Sequence, residues 1–140
     1  MKNATRQGKY RFYSSSLSRH MVRSVERHLP KIGCPLHVRA ISHGANNGWY
    51  ELIVTGMLGK LVLRGCSWGY YGEGCRATQA VLTMLGVHYW DVERAAFQTP
   101  NKTVGEAAGK GQEFFKFHLL PQVPNGTAYS VVNGQVEVAA

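Results

Sequence analysis

Between residues 60 and 85 the chain reads KLVLRGCSWGYYGEGCRATQAVLTML: an apolar β-like run, a glycine-punctuated loop rich in aromatics, then an apolar helical segment. The order is strand, turn, helix. Gly69, Gly72 and Gly74 fall where the backbone must bend before the helix begins, and glycine reaches positive φ there without a Cβ clash. The start of such a helix leaves unpaired N–H groups beside the loop, a junction that can hold an anion or simply join two elements.

The flanking sequence supplies the rest of the architecture. Tyr10 to Tyr13 alternate weakly, as a short strand does, and Ser14, Ser15 and Ser16 offer N-caps for a helix after them. From Leu17 the apolar positions Leu17, Met21, Val22, Val25 and Leu29 have helical spacing, with Pro30 and Gly33 as the stop. LHVRAIS from Leu36 alternates, GANNG at 44–48 is a turn cluster, and Trp49 to Val54 reads as the returning strand. Lys60 to Arg64 is then a third antiparallel strand. The helix from about Cys75 to Leu85 turns Ala77, Ala80, Val81, Met84 and Leu85 inward and ends at Gly86.

Residues 87–110 are expected to be an irregular insertion. VHYWDV can extend as a strand, while Asp91 can cap a short helix DVERAAFQ that must stop before Pro100. Thr103 and Glu106 have capping-box spacing, but Gly105, Gly109 and Gly111 oppose a helix. Gln112 to Leu120 reads as a further helix ended by Pro121, Pro124 to Gly126 as a turn, and Asn133-Gly134 as the type I′ turn of a closing hairpin. The sum is an α+β fold, an antiparallel sheet of three to five strands with two or three helices packed on it. At 140 residues one domain is expected, with a loose basic arm over residues 1–8.

Charge narrows the function. Residues 1–40 hold nine basic side chains against the single acid Glu26, and the remaining hundred hold seven of each sign, so the whole net charge of +8 belongs to the N-terminal segment. On a helical wheel Arg19, Arg23, Arg27 and Lys31 step along the side opposite the apolar stripe, and Arg11 precedes them. Such a stripe is either a solvated outer face or a surface for something acidic. Nucleic acid is the commonest such partner and an acidic protein face the next. The odd cysteine count (Cys34, Cys66 and Cys75) and the absence of an apolar N-terminal stretch predict free thiols and a cytoplasmic protein. No apolar window approaches membrane-spanning length, so no membrane partner is expected.

The run from Cys66 to Leu85, through Trp68, Gly69, Tyr70, Gly72 and Gly74, together with Phe115-Lys116, resembles a small bacterial and phage domain family. That family carries a W-G-Y-x-G-x-G-P stretch before an apolar helix, and no activity is assigned to it. Cys75 stands where the family has proline, and the family lacks most of 87–110 and the basic first forty residues. The resemblance implies a shared strand, loop and helix and a mobile-element origin. By analogy it also implies an inhibitor of a host nucleoprotein defence complex, of anti-CRISPR type, acting in the host cytoplasm.

Two sites can be drawn. In the first, Arg11, Arg19, Arg23, Arg27 and Lys31 engage phosphates or an acidic protein without catalysis. In the second, the loop holds a nucleotide or phosphorylated metabolite, with N–H groups after Gly72 and Gly74, charge from Arg76, and Trp68, Tyr70 or Tyr71 stacking on a base. The loop lacks both a Walker ending and the G-x-G-x-x-G order, and Glu73 opposes phosphate. Its alternative is a tight turn with Trp68 and a tyrosine packed as core. Cys75 beside Arg76 at a helix start has the setting of a nucleophile, with His43 or His88 as its base. A general acid and base pair would have to come from Glu51, Asp91 or Glu93. The six scattered histidines and the cysteine spacing predict no metal and no cofactor. A homodimer fits as readily as a monomer.

Overall fold

Alternation between residues 35 and 63 produces the strands it predicts. In the computed structural model, β2 (Pro35–His43), β3 (Trp49–Gly56) and β4 (Gly59–Leu63) are consecutive antiparallel strands. The structure describes residues 10–43, 49–99, 111–119, 128–132 and 135–139. The expected arm over 1–8, the GANNG turn, the Thr103 to Glu106 capping box and the turns at Pro124 and Asn133-Gly134 lie outside these residues.

Two more strands complete a five-stranded sheet in the order β1-β4-β3-β2-β5, with β1 (Tyr10–Tyr13) and β5 (Gln112–His118) at its edges. The sheet is mostly antiparallel, β1 alone running parallel to its neighbour. Phe12, Leu61, Val54, Val38 and Phe117 are register partners from strand to strand, one row across the whole sheet. Leu61, Val54 and Val38 are fully buried, each contributing on the order of 1.5–3 kcal/mol of transfer free energy.

Three helices close over this face: α1 (Met21–Ile32), α2 (Glu73–Met84) and α3 (Tyr89–Glu93), the last continued by a π-helical turn over Arg94–Gln98. Met21, Val25 and Ile32 from α1, Val81 and Leu82 from α2, and Val92 from α3 share one core with the sheet. Helix α2 ends in a Schellman arrangement: Gly86 at φ 90° donates to Thr83, and Val87 donates to Leu82.

Several expectations are corrected. Residues 112–118 are a strand, because their side chains find a partner in β2 along the register Phe117↔Val38 and Phe115↔Ala40. Residues 89–98 are helical throughout, with His88 as the cap: its Nδ1 accepts from the Trp90 N–H at 3.3 Å, so Asp91 lies inside the first turn and VHYWDV is no strand. Pro30 does not end α1 but sits in its last turn, where only one backbone bond is forfeited, and Gly33 at φ 80° makes the stop. Met84 is exposed and Ala80 half-buried, because α2 turns Cys75, Thr78 and Leu82 inward instead. The closing hairpin is present as β6 (Ala128–Val132) paired antiparallel with β7 (Gln135–Ala139).

Candidate nucleic-acid interface

The serine run 14–16 does not cap α1. Its role is to fasten the chain between β1 and α1 to the end of β4: the Arg64 N–H donates to Ser14 Oγ at 2.8 Å, and the Ser14 N–H donates to the Val62 carbonyl at 2.9 Å. A 3₁₀ turn over Ser18–His20 then leads into the helix, and Ser18 Oγ donates to the Gly65 carbonyl at 2.7 Å. The start of α1 is thereby held against the sheet edge, with no carboxylate in its first turn.

From that anchor the outer face is set by the helical repeat. Arg19, Arg23, Arg27 and Lys31 are all exposed, about 6 Å apart along the axis at four-residue steps. Among the described residues the ion pairs are Arg39 with Glu113 at 2.6 Å and Glu51 with both His43 at 2.9 Å and Arg64 at 3.1 Å. No arginine of the stripe takes part in any of them. Lys31 lies 5.6 Å over the Phe12 ring, a contact that leaves its charge in place. Arg11 is exposed but stands apart, because alternation along β1 turns it away from Phe12, the residue that packs toward α1.

A second row, His20, Ser24 and His28, runs beside the arginines at the same four-residue step. Its i, i+4, i+8 spacing is visible in the sequence, but its members carry no formal charge and a reading by charge misses them. The two rows and the serine connection enclose a cavity of about 270 Å³, lined by His20, Arg23, Arg27 and His28 on the helix and by Ser14 and Ser15 across from it. Tyr13 borders it, its ring 4.4 Å under the Arg64 guanidinium. The imidazole of His28 is oriented: its Nδ1–H donates to the Ser24 carbonyl at 2.8 Å and its ring lies 4.9 Å from Phe12.

The glycine loop is built differently. Trp68 is wholly buried, stacked on Tyr50 at 4.8 Å and flanked by Phe114 and Phe115, so it packs the core and is closed to a base. Tyr71 is exposed and stacked on Phe97 at 4.9 Å. Ser67 ties the loop to α2: its N–H donates to the Gly74 carbonyl at 3.1 Å, its carbonyl accepts from Thr78 at 2.6 Å, and its hydroxyl lies 2.8 Å from the Tyr70 hydroxyl. Gly74 leaves no room for a side chain against Ser67, and a Cβ on Gly72 would lie 2.6 Å from the Tyr70 ring. Of the loop glycines Gly69 alone takes the positive φ expected of the three, at 93°; Gly72 and Gly74 serve close packing instead. A cavity of about 380 Å³ does open at the start of α2, between Tyr50, Arg64, Ser67, Tyr70 and Glu73. The cation beside it is Arg64, already held by Glu51, while Arg76 is exposed elsewhere on the helix. Burial, with Tyr70 and Cys75 nearby, raises the Tyr50 phenol above its ordinary pKa.

Cys75 is fully buried with its sulfur 3.8 Å from Ser67 Oγ. The two histidines considered as its base are engaged elsewhere, His43 on Glu51 and stacked on Trp49, His88 as the α3 cap. Glu51 is spent on its ion pairs, and Glu93 accepts from Gln79 Nε2 at 2.7 Å. Among the described residues no group of three or more His, Cys, Asp or Glu is placed to hold a metal ion, and no helix is long and apolar enough to cross a membrane.

The fold and this face define an α+β protein with a mostly antiparallel five-stranded sheet and an outward cationic helix. No protein-family model, curated protein or solved structure matches the chain.

Proposed function

We propose that this protein is a non-enzymatic binder of nucleic acid that grips phosphates through the outer face of α1. The observation that carries this reading is the unspent charge: Arg19, Arg23 and Arg27 are exposed along one line, and no carboxylate among the described residues pairs with them. Positive charge kept free of internal partners favours counterion release from a phosphate backbone, which supplies most of the affinity in sequence-independent binding. The Tyr13 ring at the adjoining sheet edge, about half exposed with the Arg64 guanidinium over one face, suits stacking on an unpaired base, which favours single strands. The resemblance of the 66–85 segment to phage domains supports a setting in which the partner is a host nucleoprotein complex, with inhibition as the outcome.

The test is fluorescence anisotropy with a labelled single-stranded oligonucleotide. Reversing Arg19, Arg23 and Arg27 together to Glu is expected to abolish binding while leaving the circular dichroism spectrum unchanged, because all three side chains point to solvent. Binding that survives the triple reversal removes the proposal. Binding lost on an acidic protein target but never seen with any oligonucleotide moves the partner from nucleic acid to protein.

A second reading rests on the larger cavity at the start of α2, where Arg64, Ser67 and Tyr70 converge. It makes the protein a small enzyme or sponge for a nucleotide or phosphorylated metabolite. Thermal stabilisation by a mononucleotide that Arg64→Ala abolishes and Arg27→Ala does not would establish that site in place of the helix face.

A further inference from the structure

We propose that the cavity between α1 and the serine connection is a receptor for a phosphate monoester, whether at the end of a nucleic-acid strand or on a free mononucleotide. The strand-end form rests on the nucleic-acid reading above. Three observations carry it.

The first is the donor set. Arg23 and Arg27 enter the cavity wall one helical turn apart, each with a planar fork of N–H donors that fits phosphate oxygens in pairs. Ser24 adds a hydroxyl on the helix side. On the other side the Ser15 hydroxyl lies 3.1 Å from His20 Nδ1, and either group can turn a donor toward a ligand. Among the described residues no carboxylate lines the cavity, so none of them opposes an anion.

The second is preorganisation. A carbonyl can only accept, so the 2.8 Å contact fixes the proton of His28 on Nδ1 and leaves Nε2 as the ring's remaining site. The tilted contact with Phe12 holds the same ring from one side. Ser14, opposite, is locked by the Arg64 N–H and donates to the Ser15 carbonyl at 2.7 Å. Both walls therefore keep their shape without the ligand.

The third is shape. Arg19 and Lys31 lie on the convex ridge outside this cavity and meet phosphates along a passing strand. The cavity is concave and walled on two sides, which suits a group with three terminal oxygens and close to two negative charges. An internal diester has two such oxygens and one charge, so it makes less use of two guanidiniums, the Ser24 hydroxyl and the donor of the Ser15–His20 pair together.

The experiment compares single strands of one sequence that end in a 5′-phosphate, a 3′-phosphate or hydroxyls only, each titrated by anisotropy, with adenosine monophosphate and inorganic phosphate as competitors. One phosphorylated end is expected to bind about tenfold tighter than the hydroxyl-ended strand, as one or two added charge-assisted hydrogen bonds allow. That ratio is expected to fall toward one in Ser24→Ala, which keeps a good helix former at a half-buried position. In Arg19→Ala both strands weaken and the ratio stays. Equal binding of all three strands, with steep salt dependence, overturns the receptor and leaves the nucleic-acid reading standing. Adenosine monophosphate binding that Ser24→Ala weakens, with no strand bound, supports the receptor and overturns the nucleic-acid reading. Failure of every phosphate compound to bind overturns both.

Discussion

Replacing Gly74 with alanine separates a packed junction from an open anion loop. Helix propensity alone says the change stabilises, since alanine exceeds glycine by about 1 kcal/mol within a helix. Packing says the reverse, because a Cβ at this position lies inside contact with Ser67 Oγ and 3.3 Å from Ser67 Cβ. Ser67 cannot yield freely: its hydroxyl, N–H and carbonyl are bonded to Tyr70, Gly74 and Thr78. Losing one or two of those bonds costs about 1 kcal/mol each, and overpacking adds about 1–3 kcal/mol. The net expectation, measured by urea unfolding, is a loss of about 2 kcal/mol. In a Ser67→Ala background the offending oxygen is gone, and what remains is the 3.3 Å contact with the Cβ and an ordinary one at 3.4 Å with the backbone nitrogen. There Gly74→Ala is expected to be neutral or mildly stabilising, a coupling of about 2 kcal/mol between the two sites. The same cost in both backgrounds, or stabilisation of the parent protein, would refute the packing argument.

Buried groups give two further expectations. His37 is held at about 4, first by burial and then by Lys116, Arg39, His118 and Lys60, so the unfolded chain takes up its proton first and stability falls as pH drops from about 6.5 toward 4. Screening of the half-buried ring leaves a loss of about 1 kcal/mol between pH 7 and pH 5. Denaturant titrations should show it in the parent and not in His37→Leu; an identical pH response in both would rule it out. Cys66 and Cys75 are buried and burial pushes the Cys66 thiol up to about 12, whereas Cys34 is half-buried. A disulfide exchange reagent should therefore label Cys34 first and the other two only on unfolding. Rapid labelling of Cys75 in the native protein would restore the nucleophile reading.

The fold is legible in the sequence where the pattern is local. Strands β2, β3 and β4 come from alternation between turn residues, and α1 and α2 come from apolar spacing closed by Gly33 and Gly86. Residues 112–118 mislead because Phe114, Phe115, Phe117 and Leu119 fit a helical wheel and a strand almost equally well; the register with β2, seventy residues away, decides between them. The parallel pairing of β1 with β4 is a long-range choice of the same kind. In the loop, Trp68 suits both a stacking platform and a core position by sequence, and burial against Tyr50, Phe114 and Phe115 settles it as core. Charge asymmetry points to α1 directly, yet the cavity depends on uncharged partners, His20, Ser24 and Ser15. Their value comes from where the connection from β1 runs, which no local pattern encodes.

Release of counterions from a phosphate backbone by the α1 face is tested most directly by the salt dependence of oligonucleotide affinity. Four phosphate contacts to a single strand give a slope of about −3 in log K against log salt, roughly a 60-fold loss between 50 and 200 mM. Neutralising Arg19, Arg23 and Arg27 to alanine should flatten that slope by about 2. A slope near zero in the parent, or one that the three substitutions leave untouched, would contradict binding through this face.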